Sequence, residues 1–97
     1  MRTKTHPGEI LREEFMKPLG LSAHALALAL RVPANRITTI TRKKTPRAVS
    51  VDTALRLARY FGTSADFWVN LQAAYDLSVA GAALKKKIEQ DVRPRAA

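Results

Sequence analysis

Ninety-seven residues fit one domain with a modest core, and the lack of cysteine excludes a disulfide framework, a thiolate metal site and a thiol nucleophile. Seventeen Lys and Arg against eight Asp and Glu give a net charge of +9, which directs attention to polyanionic partners. No apolar signal-peptide core opens the chain, and the longest apolar run, residues 25–30, is far below the ~20 residues of a membrane span. A soluble cytoplasmic protein with no membrane partner is therefore expected.

The elements expected in chain order are all helical. Pro7 suits the first position of a helix running to about residue 17, with Glu9 at its positive end and Ile10, Leu11 and Phe15 as its apolar stripe. Pro18 and Gly20 end it. Ser22 caps a second helix to residue 30; its Ala-Leu alternation resembles a strand, but alanine favours helix. Leu26 and Leu30 share one face, which leaves Leu28 partly exposed. Arg31-Val32-Pro33 is a break, followed by a third helix over 34–42. Ser50 caps a fourth helix, 51–61, whose Ala54, Leu55, Leu57, Ala58 and Phe61 form its buried face. Gly62 stops it, and Ser64 caps a fifth helix over 65–80. Residues 82–97, with Lys85-Lys86-Lys87 and a terminal Arg-Pro-Arg, read as a frayed helix and a mobile basic tail.

Charge is distributed unevenly. Residues 31–47 contain six basic residues (Arg31, Arg36, Arg42, Lys43, Lys44, Arg47) and no acid, while the other 80 residues carry a net charge of only +3. A solvated face would have acids interspersed. Two short helices with a three-residue break and a basic second member suggest a helix-turn-helix over residues 22–42. Ala27 supplies the small residue needed where the helices cross, and Val32 turns the chain back to the core. On a wheel of about 100° per residue, Asn35, Thr38, Thr39 and Arg42 fall within roughly 50° of the direction opposite Ile37 and Ile40. Amide, hydroxyl and guanidinium groups on that face suit hydrogen bonding to base edges. Ser22 with the free amides after it, and Arg36, Lys43, Lys44 and Arg47, are the candidates for DNA phosphates.

Several segments resemble HigA-type antitoxins, a branch of the XRE/Cro-repressor-like helix-turn-helix family. They are His6-Pro-Gly-Glu-Ile-Leu-Arg-Glu-Glu-Phe15, Pro18-Leu-Gly-Leu-Ser22, Val32-Pro33, the run from Asp52 to Ser64, Phe67-Trp68, and Asn70 to Leu77. The resemblance spans about residues 6–80. It implies an all-α, five-helix, lambda-repressor-like domain over 1–81 that binds DNA and dimerises, followed by a flexible basic tail over 82–97. It further implies a homodimer that represses its own operon at palindromic operator half-sites, with Asn35, Thr38 and Thr39 at base edges. The same protein would neutralise a small basic RelE-like toxin (HigB type) that cleaves messenger RNA. A stand-alone phage-type or XRE repressor is the alternative. Two positions depart from the family: Arg31 stands where glycine is common in the turn, at a cost of about 1 kcal/mol if left-handed, and Leu28 stands where a polar residue is common.

Other chemistry finds little support. His6 and His24 have no carboxylate or cysteine cluster and read as capping or surface residues rather than metal ligands. No phosphate-binding glycine loop and no nucleophile with a base beside it appears, so neither an enzyme nor a cofactor is expected. Phe67, Trp68, Leu71 and Tyr75 form one helical stripe. Phe67 and Leu71 are assigned to the core; Trp68 and Tyr75 are assigned to a dimer interface, where amphipathic aromatics are enriched.

Overall fold

The structure is a computed structural model that describes residues 4–96. Residues 1–3 of the expected first domain and Ala97 of the expected tail lie outside it. Among the described residues there are five helices and no strand. Helix α1 covers residues 7–19 in three consecutive stretches: Pro7–Ile10, a π-helical Leu11–Met16, and Lys17–Leu19. The others are α2 (Ala23–Leu30), α3 (Ala34–Thr41), α4 (Val51–Phe61) and α5 (Ala65–Asp91).

Side-chain caps start four of the five. His6 Nδ1 accepts the Gly8 N–H at 2.8 Å, and Ser22, Ser50 and Ser64 accept from Ala25, Thr53 and Phe67. Pro33 opens α3 with no side-chain cap. The π stretch has a local cause. Pro18 lacks the N–H that an α-helix would direct four residues back, and the preceding turn widens so that the Lys17 N–H reaches the Arg12 carbonyl, five residues back. Helix α1 consequently continues through Pro18 to Leu19, two residues beyond its expected end.

Left-handed residues close α1, α2 and α4: Gly20, Arg31 and Gly62. At Arg31 (φ 62°) the Arg31 N–H bonds the Leu28 carbonyl and the Val32 N–H bonds the Ala27 carbonyl, a Schellman pair. Gly20 and Leu21 make the same pair with Lys17 and Met16. The turn of the helix-turn-helix is thus built conventionally on a residue that is not glycine.

The core comprises Leu11, Met16, Leu26, Ala27, Leu30, Ile37, Ile40, Val49, Ala54, Leu57 and Trp68. Leu55, expected inside, is exposed on the outer side of α4. Trp68 corrects a second expectation: its ring is fully buried and its Nε1–H donates to Thr63 Oγ1 at 2.9 Å, so it belongs to the core and not to a surface between copies. Its neighbour Phe67, assigned to the core, is 39% exposed. Helix α5 also corrects its expected end at residue 80. It runs on to Asp91, carries Lys85–Lys87 as helical residues, and stretches the molecule to 53 × 27 × 22 Å.

Candidate nucleic-acid interface

Helix α3 buries Ile37 and Ile40 and turns Asn35 and Thr38 outward, with Thr39 half-buried beside them. Thr39 Oγ1 donates to the Asn35 carbonyl at 2.6 Å, which fixes its rotamer. Among the described residues the Asn35 amide has no hydrogen-bond partner, and it offers a donor and an acceptor in one plane.

Arg42 stands at the end of this face. The helix ends at Thr41, but Arg42 keeps a helical φ (−66°) and its N–H still bonds the Thr38 carbonyl, so its side chain leaves from the α3 face while ψ 150° turns the chain after it into the loop. Its Nε donates to the Thr45 carbonyl at 2.9 Å, and this bond helps hold a loop in which Thr45 has φ 44°. A β-branched residue there costs on the order of 1–3 kcal/mol, which the surrounding contacts must offset. One such contact is the Arg47 N–H, which bonds the Thr39 carbonyl at 2.8 Å and ties the loop back to α3. Lys43, Lys44 and Arg47 are all exposed along it.

Arg36 is engaged inside the chain, which its sequence context did not reveal. Its Nη1 meets Asp52 Oδ2, which also accepts from Arg56 Nε at 3.0 Å. The guanidinium of Arg56 first, and that of Arg36 second, hold the Asp52 carboxyl below the usual carboxylate range. Being exposed, the pair is exchangeable, since surface ion pairs contribute about 0–1 kcal/mol. Arg56 Nη1 in turn caps the Leu30 carbonyl at the end of α2, at 2.8 Å. Ser22 is exposed at the start of α2, its oxygen accepting from Ala25.

The structure therefore brings Asn35, Thr38 and Thr39 together on one face, with Lys43, Lys44 and Arg47 on a loop bonded to the same helix. Tyr75 lies elsewhere, half-buried with its ring against His6 at 4.8 Å. Among the described residues no His, Cys, Asp or Glu cluster could hold a metal. No helix of the described residues is long and apolar enough to cross a membrane.

A short helix, a tight left-handed turn and a second helix that presents an acid-free polar face define a helix-turn-helix domain. Residues 13–68 match the helix-turn-helix family. The chain is 61% identical over 75 residues to virulence-associated protein I of Dichelobacter nodosus, a match spanning 77% of this chain and 68% of that protein. Among solved structures, it is similar to the Pseudomonas aeruginosa antitoxin HigA with the higBA promoter (48% identity, 95% of this chain and 98% of that one, TM-score 0.88). It is also similar to the antitoxin GraA in complex with its operator (45% identity, 100% and 95% covered, TM-score 0.90). The chain belongs to the helix-turn-helix family, in its branch of HigA-type antitoxins.

Proposed function

We propose that this protein binds operator DNA through α3, represses its own operon as a homodimer, and neutralises a small basic RelE-like toxin of the HigB type. The observation that carries the DNA reading is the acid-free outer face of α3, flanked by the Lys43–Arg47 loop. Asn35, Thr38 and Thr39 would reach base edges in the major groove, Asn35 by a bidentate bond to adenine. Lys43, Lys44, Arg47 and the capped start of α2 at Ser22 would hold phosphates. Arg42 and Arg36 would join only after leaving Thr45 and Asp52. The solved relatives bound to a promoter and to an operator support this assignment.

The homodimer reading draws on a bare stripe of α5. Leu77, Gly81, Leu84 and Ile88 follow one another at steps of four, three and four, the spacing of a helical pairing seam, and the three large residues are exposed. Pairing there places the dimer surface on the part of α5 beyond Leu77, with Tyr75 at its edge. Two copies would present two α3 helices to half-sites about 34–36 Å apart.

Titration of the protein against a duplex of its own promoter and against random DNA, at two salt concentrations, tests the DNA reading. Asn35→Ala should reduce the preference for the promoter by about 1–3 kcal/mol, and Lys44→Ala should weaken both duplexes alike and lower the salt slope by about one. Equal wild-type affinity for the two duplexes would end the repressor reading. Co-expression with the adjacent reading frame tests the antitoxin half: growth restored and a stable complex are expected.

A further inference from the structure

We infer that the segment from His6 to Arg12 sets the position of the reading helix, with Arg12 as the positioning residue for operator selectivity. The inference rests on the assignment of α3 as the reading helix. An α-helix leaves its last four carbonyls without partners inside the helix. In α3 these belong to Thr38, Thr39, Ile40 and Thr41. The Thr38 carbonyl accepts the Arg42 N–H at 3.1 Å and that of Thr39 accepts the Arg47 N–H at 2.8 Å, both from the loop that follows. The remaining two face α1, which gives a hydrogen bond to one and close packing to the other. The Thr41 carbonyl accepts from Arg12 Nη1. The Ile40 carbonyl oxygen stands where a side chain on Gly8 would begin: a Cβ there would lie 1.9 Å from it.

Arg12 is held for this task. Its Nε donates to Glu13 Oε2 at 3.0 Å, its Nη2 lies 3.9 Å from Glu9, and its side chain is only 20% exposed. A guanidinium can bind a carboxylate and a carbonyl at once, and its charge is favourable at a helix C-terminus. The other end of the segment is anchored as well, by the His6 cap on Gly8 and the contact of His6 with Tyr75 of α5. The conspicuous His-Pro-Gly-Glu-Ile-Leu-Arg run thereby acquires a role: its cap, its missing side chain and its arginine all bear on one end of α3. Because Arg47 hangs from Thr39, a tilt of that end would move the phosphate-binding loop together with the base-reading residues.

The expected phenotype is loss of discrimination rather than loss of DNA affinity. In the full-length chain, Arg12→Gln should weaken binding to the promoter duplex about tenfold, leave random-duplex binding within about twofold and keep the salt slope. Amide exchange at Arg42 and Arg47 should quicken in the free protein, because the helix end they bond to has lost its bracket. Arg12→Lys, which restores the charge but not the fork, should recover part of the selectivity. Equal weakening of both duplexes with a shallower salt slope would make Arg12 a phosphate contact and overturn the inference, as would unchanged discrimination. If Arg12→Gln does not fold, Glu13→Gln decides: it frees the guanidinium without removing it, and a two- to threefold loss of discrimination is expected, with no change overturning the inference. A wild-type chain without promoter preference would instead remove the DNA reading. The exchange rates at Arg42 and Arg47 would still report whether Arg12 holds the helix end.

Discussion

The two halves of α5 belong to one unbroken helix and live in different environments. In the first half Trp68 is fully buried, and Gln72, buried beside it, accepts the Val49 N–H at 2.7 Å while its own amide donates to Asp76 at 2.9 Å. From Val79 to Asp91 every residue is exposed, including Leu84 and Ile88. Helix propensity therefore does not explain where the domain ends. Alanine, lysine and glutamate carry the helix outward past the last residue that the rest of the chain covers. What differs is the supply of partners: α1 and α4 flank the first half, and among the described residues no element covers the second.

Substitutions can test that contrast, and the first half should give the largest effect. Trp68→Ala removes the biggest side chain of the core and should cost about 3–5 kcal/mol, enough in so small a domain to abolish a cooperative thermal transition. A clear two-state melt for this variant would show that the first half is not core. Gln72→Leu fills the same space but strands the buried Val49 N–H, so chemical denaturation should show a loss of about 1–3 kcal/mol.

The junction between the halves should respond to pH. Burial lowers the His6 pKa from its ordinary value of 6.5, and the Asp76 carboxylate offsets this only in part. The folded state thus takes up the proton less readily than the unfolded chain. The stabilising contribution is complete above pH 6.5 and is lost as pH falls from there through the folded-state value. The Gly8 cap must also be given up, because a protonated Nδ1 no longer accepts. His6→Asn, which can cap but does not titrate, should flatten that part of the stability profile; an unaltered slope would point to another group. The smallest stability effect is expected in the second half, where Leu84→Glu with Ile88→Glu should change the melting of the monomer by less than about 0.5 kcal/mol. Sedimentation should nevertheless show the double variant shifted to half the mass of the proposed dimer, and an unchanged mass would exclude the seam.

Much of this arrangement was legible in the sequence because it is local. Serine caps, the Gly20 and Gly62 stops and the Ile37–Ile40 face depend on neighbours a few residues away, and the structure has each where the pattern put it. The failures involve distance. Phe67 and Trp68 are about 100° apart on one helix, and the pattern of spacings cannot say which of them α1 and α4 will cover. The Arg36–Asp52 pair joins residues on different helices across 16 positions, so an apparently acid-free segment receives its acid from α4. Helix α5 overran its expected end because Gly81 is tolerated in a helix interior at about 1 kcal/mol.

The π-helical stretch of α1 has a consequence for how this chain tolerates change in length. Phe15 packs in tilted contacts against Phe61 and Trp68 from one end of the stretch, at centroid distances of 4.8 and 5.2 Å, while Gly8 abuts Ile40 from beyond the other. Six residues with bonds five apart set the angle between those two contacts. Deleting one would let the stretch close as an ordinary α-helix, and because six residues in the wider turn rotate the chain about as far as five α-helical residues at roughly 100° each, the leading and trailing segments would keep their relative phase. Phe15 and Gly8 could then both keep their places. A one-residue gap within Leu11–Met16 is therefore absorbed there, whereas the same gap in a purely α-helical segment would turn one face about 100° away from its partner.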